Sequence, residues 1–102
     1  MVSNLKIGWK DYKIIITEPK APLHIHGIEC FGKIDYLDQK IFLRRANTEE
    51  QMIATLIHEV LHGIGDMYQI ESLTKEKLTT KLADALYTIL KDNNLEITKK
   101  GG

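Results

Sequence analysis

The hydrophobic pattern changes its period near the middle of the chain. In the first half, residues 9–17 (WKDYKIIIT) are rich in aromatic and β-branched residues, a composition that favours a strand. Two prolines follow, at Pro19 and Pro22, and forbid regular structure there. Residues 29–44 then alternate apolar and polar side chains on both sides of Leu37-Asp38-Gln39, which predicts two antiparallel strands joined by a tight turn.

The second half repeats its apolar residues at helical spacing. Residues 47–50 (NTEE) combine a side chain that can cap a helix with acidic residues that suit its first turn. A helix is therefore predicted to begin here and to end at about Gly63 or Gly65. A second helix is predicted from about Thr74 to Lys91. Its leucines recur every four residues, at Leu78, Leu82, Leu86 and Leu90.

These elements predict one α+β domain over residues 1–102. A chain of 102 residues has room for a single modest core. Strands followed by helices indicate a small antiparallel sheet of about three strands packed against two helices. Asn93 and Asn94 are expected to end the second helix, with residues 93–102 forming a frayed tail.

Composition narrows the class of function. Acidic and basic residues balance at 14 each, so no broad field attracts nucleic acid or an anionic membrane. No apolar run approaches the roughly 20 residues needed to span a bilayer. The single Cys30 cannot form an internal disulfide, and no signal-like segment follows Met1. The sequence therefore predicts a cytoplasmic protein that binds neither nucleic acid nor membrane.

The most hydrophobic segment, LIHEVLHGIGD at residues 56–66, contains polar side chains that are costly to bury. On a helical wheel, apolar groups surround most of this helix. The polar residues converge on one narrow wedge: Thr55, His58, Glu59, His62 and Asp66. Burying them without partners would cost several kcal/mol, so the wedge needs a compensating partner. A divalent metal ion would provide one.

The pattern H-E-x-x-H also suits a particular chemistry. Two histidines four residues apart, His58 and His62, can share a zinc ion, and Glu59 between them can reach a water bound to that ion. Zinc lowers the pKa of such a water toward about 7, and the glutamate accepts its proton as hydroxide attacks a carbonyl. The alternative is that both histidines are core residues hydrogen-bonded to the backbone.

With these residues in place, the chain resembles the small HExxH metallopeptidase-like proteins of the ImmA/IrrE type, especially the minimal forms found in phages and prophages. The resemblance covers most of the chain. It includes the hairpin GKIDYLDQKIFLR, the segment TEEQMIATLIHEVLHGIGD and the helix KEKLTTKLADALYTILKDN.

This resemblance implies a zincin-like fold and a zinc-dependent metallopeptidase that acts on a peptide or protein, such as one regulatory protein. It also implies one zinc ion per chain, with His58 and His62 as ligands and Glu59 as the general base. An exposed strand of the hairpin would bind the peptide by extending the sheet. No segment of this short chain suggests a deep cleft or a sensing domain.

The third protein ligand is predicted to be Glu76. It opens the second helix at the position that matches the family's downstream glutamate, and a helix returning antiparallel would bring it near the first helix. Glu76 could instead complement the helix N-terminus. Asp66 is a rival ligand one turn beyond the motif, and Glu71 is a weaker one. His24 and His26 are expected to have a loop or rim role.

Two noncatalytic functions compete with the peptidase. The first is a zinc-binding module that presents a surface to a protein partner. The second is a structural zinc site, which ranks last because such sites usually have four protein ligands and often several cysteines. This chain contains one cysteine.

Overall fold

The computed structural model describes residues 3–18, 23–25, 28–45 and 48–98. Within these ranges the strands are β1 (Asn4–Ile7), β2 (Lys10–Thr17), β3 (Leu23–Ile25), β4 (Ile28–Cys30), β5 (Gly32–Asp35) and β6 (Lys40–Arg44). The helices are α1 (Glu49–Met67), a short 3₁₀ helix (Glu71–Thr74) and α2 (Glu76–Asp92). This content confirms the predicted α+β class.

The main sheet differs from the three antiparallel strands that the pattern predicts. Among the described residues it has four strands in the order β1-β2-β6-β5, and β3 pairs with β4 in a separate sheet. The β5–β6 hairpin is antiparallel as predicted, with Ile34 opposite Ile41. However, β2 runs parallel to β6, with Ile14 opposite Ile41. The sheet is therefore mixed, because the chain crosses over after β2 before the hairpin begins.

Strand β1 is one strand that the hydrophobic pattern does not predict, and β3 is another. Strand β1 has four residues and pairs antiparallel with β2, with Ile7 opposite Lys10. Gly8 opens the turn between them with φ of +59°, a conformation that glycine adopts at little steric cost. A strand this short shows too few alternating positions to be recognised without its neighbour.

Helix α1 begins where predicted but ends later. The Thr48 hydroxyl caps it by accepting a hydrogen bond from the Gln51 amide at 3.1 Å. The predicted end at Gly63 or Gly65 is wrong, because α1 continues to Met67. Both glycines are buried inside the helix and let neighbouring elements approach closely. They therefore serve packing rather than termination.

Helix α1 lies between the main sheet and α2. It contacts β1, β5 and β6 on one side and α2 on the other. The central cluster of buried residues is Ile7, Tyr12, Ile14, Ile41, Leu43, Met52 and Leu56. Helix α2 runs close to its predicted span, and Thr79 and Ala83 are its buried residues. Within the described residues, neither long helix is apolar enough to cross a membrane.

Replacing Gly65 with alanine is expected to lower the free energy of unfolding by about 1 kcal/mol. A Cβ atom at Gly65 would lie 2.9 Å from Leu73 Cβ and 3.2 Å from the Ile70 carbonyl oxygen. Such overpacking typically costs about 1 to 3 kcal/mol. The gain in helix propensity, about 1 kcal/mol, offsets part of this cost. Urea denaturation of both proteins measures the difference.

Gly63→Ala is the matched comparison. Its Cβ atom would meet the flexible ends of two side chains, Ile7 Cδ1 at 2.6 Å and Ile34 Cδ1 at 3.1 Å. These methyl groups can rotate away, so we expect a smaller loss than at Gly65. A Gly65→Ala protein as stable as wild type would contradict the close contact between α1 and Leu73.

Candidate metal centre

Two histidines of α1 form the base of the site. Residues four apart on a helix lie on the same face, so His58 and His62 project together. Their Nε2 atoms are 3.1 Å apart. The rings meet edge to face, with centroids 4.8 Å apart and planes at 71°. The two histidines of the predicted polar wedge are therefore in direct contact.

Glu76 reaches these histidines from the first turn of α2. Its Oε1 atom is 2.6 Å from His62 Nε2, and its Oε2 atom is 3.1 Å from His58 Nε2. The 3₁₀ helix between α1 and α2 reverses the chain direction and makes this approach possible. The Glu76 side chain is 74% exposed, so the carboxylate approaches the histidines from the solvent side.

Glu59 lies on the inner side of the same cluster. It is 5% exposed. Burial, together with the negative charge of Glu76, raises the pKa of Glu59 to about 7. Gly32 of β5 packs beside it, where a Cβ atom would lie 3.2 Å from Glu59 Cγ. Glu59 can therefore bind and release a proton near neutral pH, next to strand β5.

The cluster could hold a metal ion in more than one way. Ligand atoms of His58, Glu59 and His62 all lie within 4.8 Å of one another. The two oxygens of Glu76 are 2.6 and 3.1 Å from the histidine nitrogens. Both Glu59 and Glu76 are therefore candidates for the third ligand.

The hydrogen bonding of His62 suits a metal ligand. Its Nδ1 atom is 3.0 Å from the backbone carbonyl oxygen of Leu73. A carbonyl oxygen only accepts, so Nδ1 carries a hydrogen and Nε2 is the ring nitrogen left for a metal ion. Without an ion, Nε2 donates to the Glu76 carboxylate, which also only accepts, and a bound ion would displace that hydrogen. Two imidazole nitrogens and one carboxylate are a donor set that divalent metal ions accept, zinc among them.

The structure places the rival ligands elsewhere or in other contacts. Asp66 forms an ion pair with Lys10, whose Nζ atom is 3.4 Å from Asp66 Oδ2. Glu71 is exposed at the start of the 3₁₀ helix. His24 belongs to β3 in the separate sheet. His26 lies outside the described residues.

Several groups near the site were not identified from the sequence. The Leu73 carbonyl is one, and Thr79 is another, because its hydroxyl donates to the same carbonyl at 2.9 Å. A third is Tyr36, whose pKa is raised to about 12 by burial and by negative charges that include Asp66 and Glu59. Its phenol therefore stays protonated at neutral pH. The sequence offers a signal only for Thr79, which lies three residues after Glu76 on the buried face of α2.

Comparison with protein-family models, with curated proteins and with solved structures finds no match to this chain. The resemblance to ImmA/IrrE-type proteins therefore stays a prediction. Any functional assignment depends on the geometry of the cluster itself.

Proposed function

We propose that this protein is a zinc-dependent metallopeptidase, zincin-like in fold and of the ImmA/IrrE type. His58, His62 and Glu76 bind one zinc ion per chain, and Glu59 is the general base. The observation that carries this proposal is the convergence of two Nε2 atoms and both oxygens of one carboxylate within 3.1 Å.

The roles of the side chains follow from their surroundings. When bound, zinc supplies a Lewis acid that activates water for attack on a carbonyl. Glu59 accepts a proton during this attack and returns it to the leaving amine, which requires a pKa near the working pH. Its pKa of about 7 in the metal-free protein suits this exchange. The Leu73 carbonyl orients His62 through Nδ1.

The expected substrate is an extended segment of a peptide or protein. Strand β5 is at one edge of the main sheet. Gly32 of this strand packs directly against Glu59. A peptide that adds to the edge by backbone hydrogen bonds would pass close to the base. The resemblance to phage and prophage proteins suggests a regulatory protein as the target.

The alternative is a noncatalytic zinc-binding module for protein–protein interaction. One observation favours it: α2 exposes a row of apolar side chains on the flank beside its contact with α1. The row consists of Leu78, Leu82, Leu86 and Ile89, each more than a third exposed. Contiguous apolar surface of this kind often marks an interaction site.

The proposal is tested first by the metal content of untagged protein purified without added metal. Elemental mass spectrometry should find about one zinc ion per chain. His58→Ala and His62→Ala should each abolish this zinc. Glu76→Ala should weaken zinc binding by more than the roughly 10- to 100-fold typical of losing an outer-shell partner.

Asp66→Ala and Glu71→Ala are the matched controls for Glu76→Ala and should keep full zinc occupancy. If Asp66→Ala loses the metal and Glu76→Ala keeps it, Asp66 is the third ligand and the assignment of Glu76 is wrong. If wild-type protein holds no metal and takes up none when zinc is supplied, the metallopeptidase proposal fails.

A further inference from the structure

The buried polar side chains of this protein are concentrated at the candidate metal centre. In the described part of the chain they are Glu59, His62 and Thr79. The first two belong to the H-E-x-x-H motif, whereas Thr79 belongs to α2 and is 0% exposed. A fully buried hydroxyl one turn after Glu76 therefore needs a reason.

The hydrogen bond of Thr79 differs from those of other helical threonines. Thr55 and Thr88 each donate to the carbonyl four residues earlier, at 2.8 Å. This is the usual bond of a threonine inside a helix. Thr79 instead donates to Leu73, six residues earlier and outside α2, at 2.9 Å. Its hydroxyl therefore joins α2 to the 3₁₀ helix.

The Leu73 carbonyl oxygen accepts from two side chains. His62 Nδ1 lies 3.0 Å from it and the Thr79 hydroxyl 2.9 Å from it. A carbonyl oxygen has two lone pairs, so both bonds can form together. These two bonds fix the direction of the carbonyl. The carbonyl in turn limits rotation of the His62 ring, because Nδ1 must keep pointing at it.

We propose that Thr79 is a positioning residue of the metal centre, because it holds the Leu73 carbonyl where that carbonyl accepts from His62 Nδ1 and fixes the orientation of the imidazole ring. With Nδ1 held in this way, Nε2 faces His58 and Glu76, where a metal ion would bind. The expected effect of Thr79 on zinc affinity rests on the proposed function. Its expected effect on His62 can be measured in the metal-free protein as well.

A purely structural role for Thr79 predicts different results. A buried hydrogen bond of this kind contributes modestly to stability. Its loss would lower stability and leave His62 unchanged. A positioning role requires that the Nδ1–H hydrogen bond of His62 and the zinc affinity both depend on the hydroxyl.

The test compares Thr79→Val with Thr79→Ser. Valine keeps the branched shape and removes the hydroxyl, whereas serine keeps the hydroxyl. Zinc affinity is measured by competition with a chromophoric chelator, and the hydrogen bond of His62 Nδ1–H by ¹⁵N NMR of histidine-labelled, metal-free protein. We expect Thr79→Val to weaken zinc binding by about 10- to 100-fold and to weaken or break the Nδ1–H hydrogen bond of His62. Thr79→Ser should restore both properties.

Wild-type protein alone also provides a decisive measurement. A hydrogen-bonded Nδ1–H of His62 should be present without metal, and its absence would overturn the proposal even if Thr79→Val fails to fold. A Thr79→Val protein with an unchanged Nδ1–H hydrogen bond and unchanged zinc affinity would also overturn it. If wild-type protein binds no zinc, the proposed function fails, while the NMR comparison still decides the role of Thr79.

Discussion

Replacing Glu59 with glutamine is expected to lower the rate of peptide hydrolysis by about 10²- to 10⁴-fold and to leave the zinc content unchanged. Glutamine has nearly the same shape as glutamate but cannot accept the proton of the attacking water. The proposed ligands are His58, His62 and Glu76, which this change does not touch. The variant should therefore keep its metal and lose most of its catalytic activity.

The measurement is the initial rate of cleavage of a peptide library under zinc-replete conditions, with the zinc content determined on the same samples. Glu49→Gln is the matched control, because Glu49 is an exposed glutamate in the first turn of the same helix. Loss of zinc from Glu59→Gln would make Glu59 a ligand instead of a base. If Glu59→Gln keeps its zinc and all biological activity, the interaction module is the better assignment.

The stability of metal-free protein is expected to fall as the pH rises from about 5 to 8, and Glu59→Gln should remove most of this fall. The ordinary pKa of Glu59 is 4.5, and in the folded protein it is about 7. Between these values the folded state keeps a proton that the unfolded state releases, so stability decreases with rising pH. This difference in pKa corresponds to roughly 3 kcal/mol of lost stability at the high-pH end, which Glu59→Gln should not lose.

Urea denaturation in the presence of a chelator, at several pH values between 5 and 8, gives this comparison directly. The gain from Glu59→Gln relative to wild type should be small at pH 5 and should grow with pH. Glu49→Gln should show no such growth, because its side chain is exposed. A gain that is the same at every pH would mean that Glu59 ionises in the folded protein as it does in the unfolded chain.

The elements that the sequence predicts well are those whose signals are local. Alternation around Leu37 predicts the β5–β6 hairpin, and the cap at Thr48 predicts the start of α1. The parallel pairing of β2 with β6 could not be predicted in this way. It depends on the path of the chain between distant segments. The continuation of α1 through Gly63 and Gly65 likewise depends on neighbours that only the tertiary fold supplies.

In the candidate site, too, the sequence predicts the features that have local signals and misses those that depend on tertiary contacts. Helical spacing alone predicts that His58, Glu59 and His62 converge. The approach of Glu76 is expected if the second helix returns antiparallel to the first. This argument is weaker than helical spacing, and the contact between Glu76 and His62 agrees with it. The Leu73 carbonyl has no signature in the sequence, because every residue carries a carbonyl. The pairing of Asp66 with Lys10 joins residues 56 positions apart, and no local pattern indicates it.

The exposed position of Glu76 has a consequence for the lifetime of the protein. His62 and Glu76 are 14 positions apart and belong to different helices. A zinc ion shared between them would act as a reversible cross-link that closes the intervening segment and ties α2 to α1. Removing the ion would free the exposed Glu76 carboxylate and with it the first turn of α2. The supply of metal would then govern how readily a protease cuts between the helices, quite apart from any reaction that the protein catalyses.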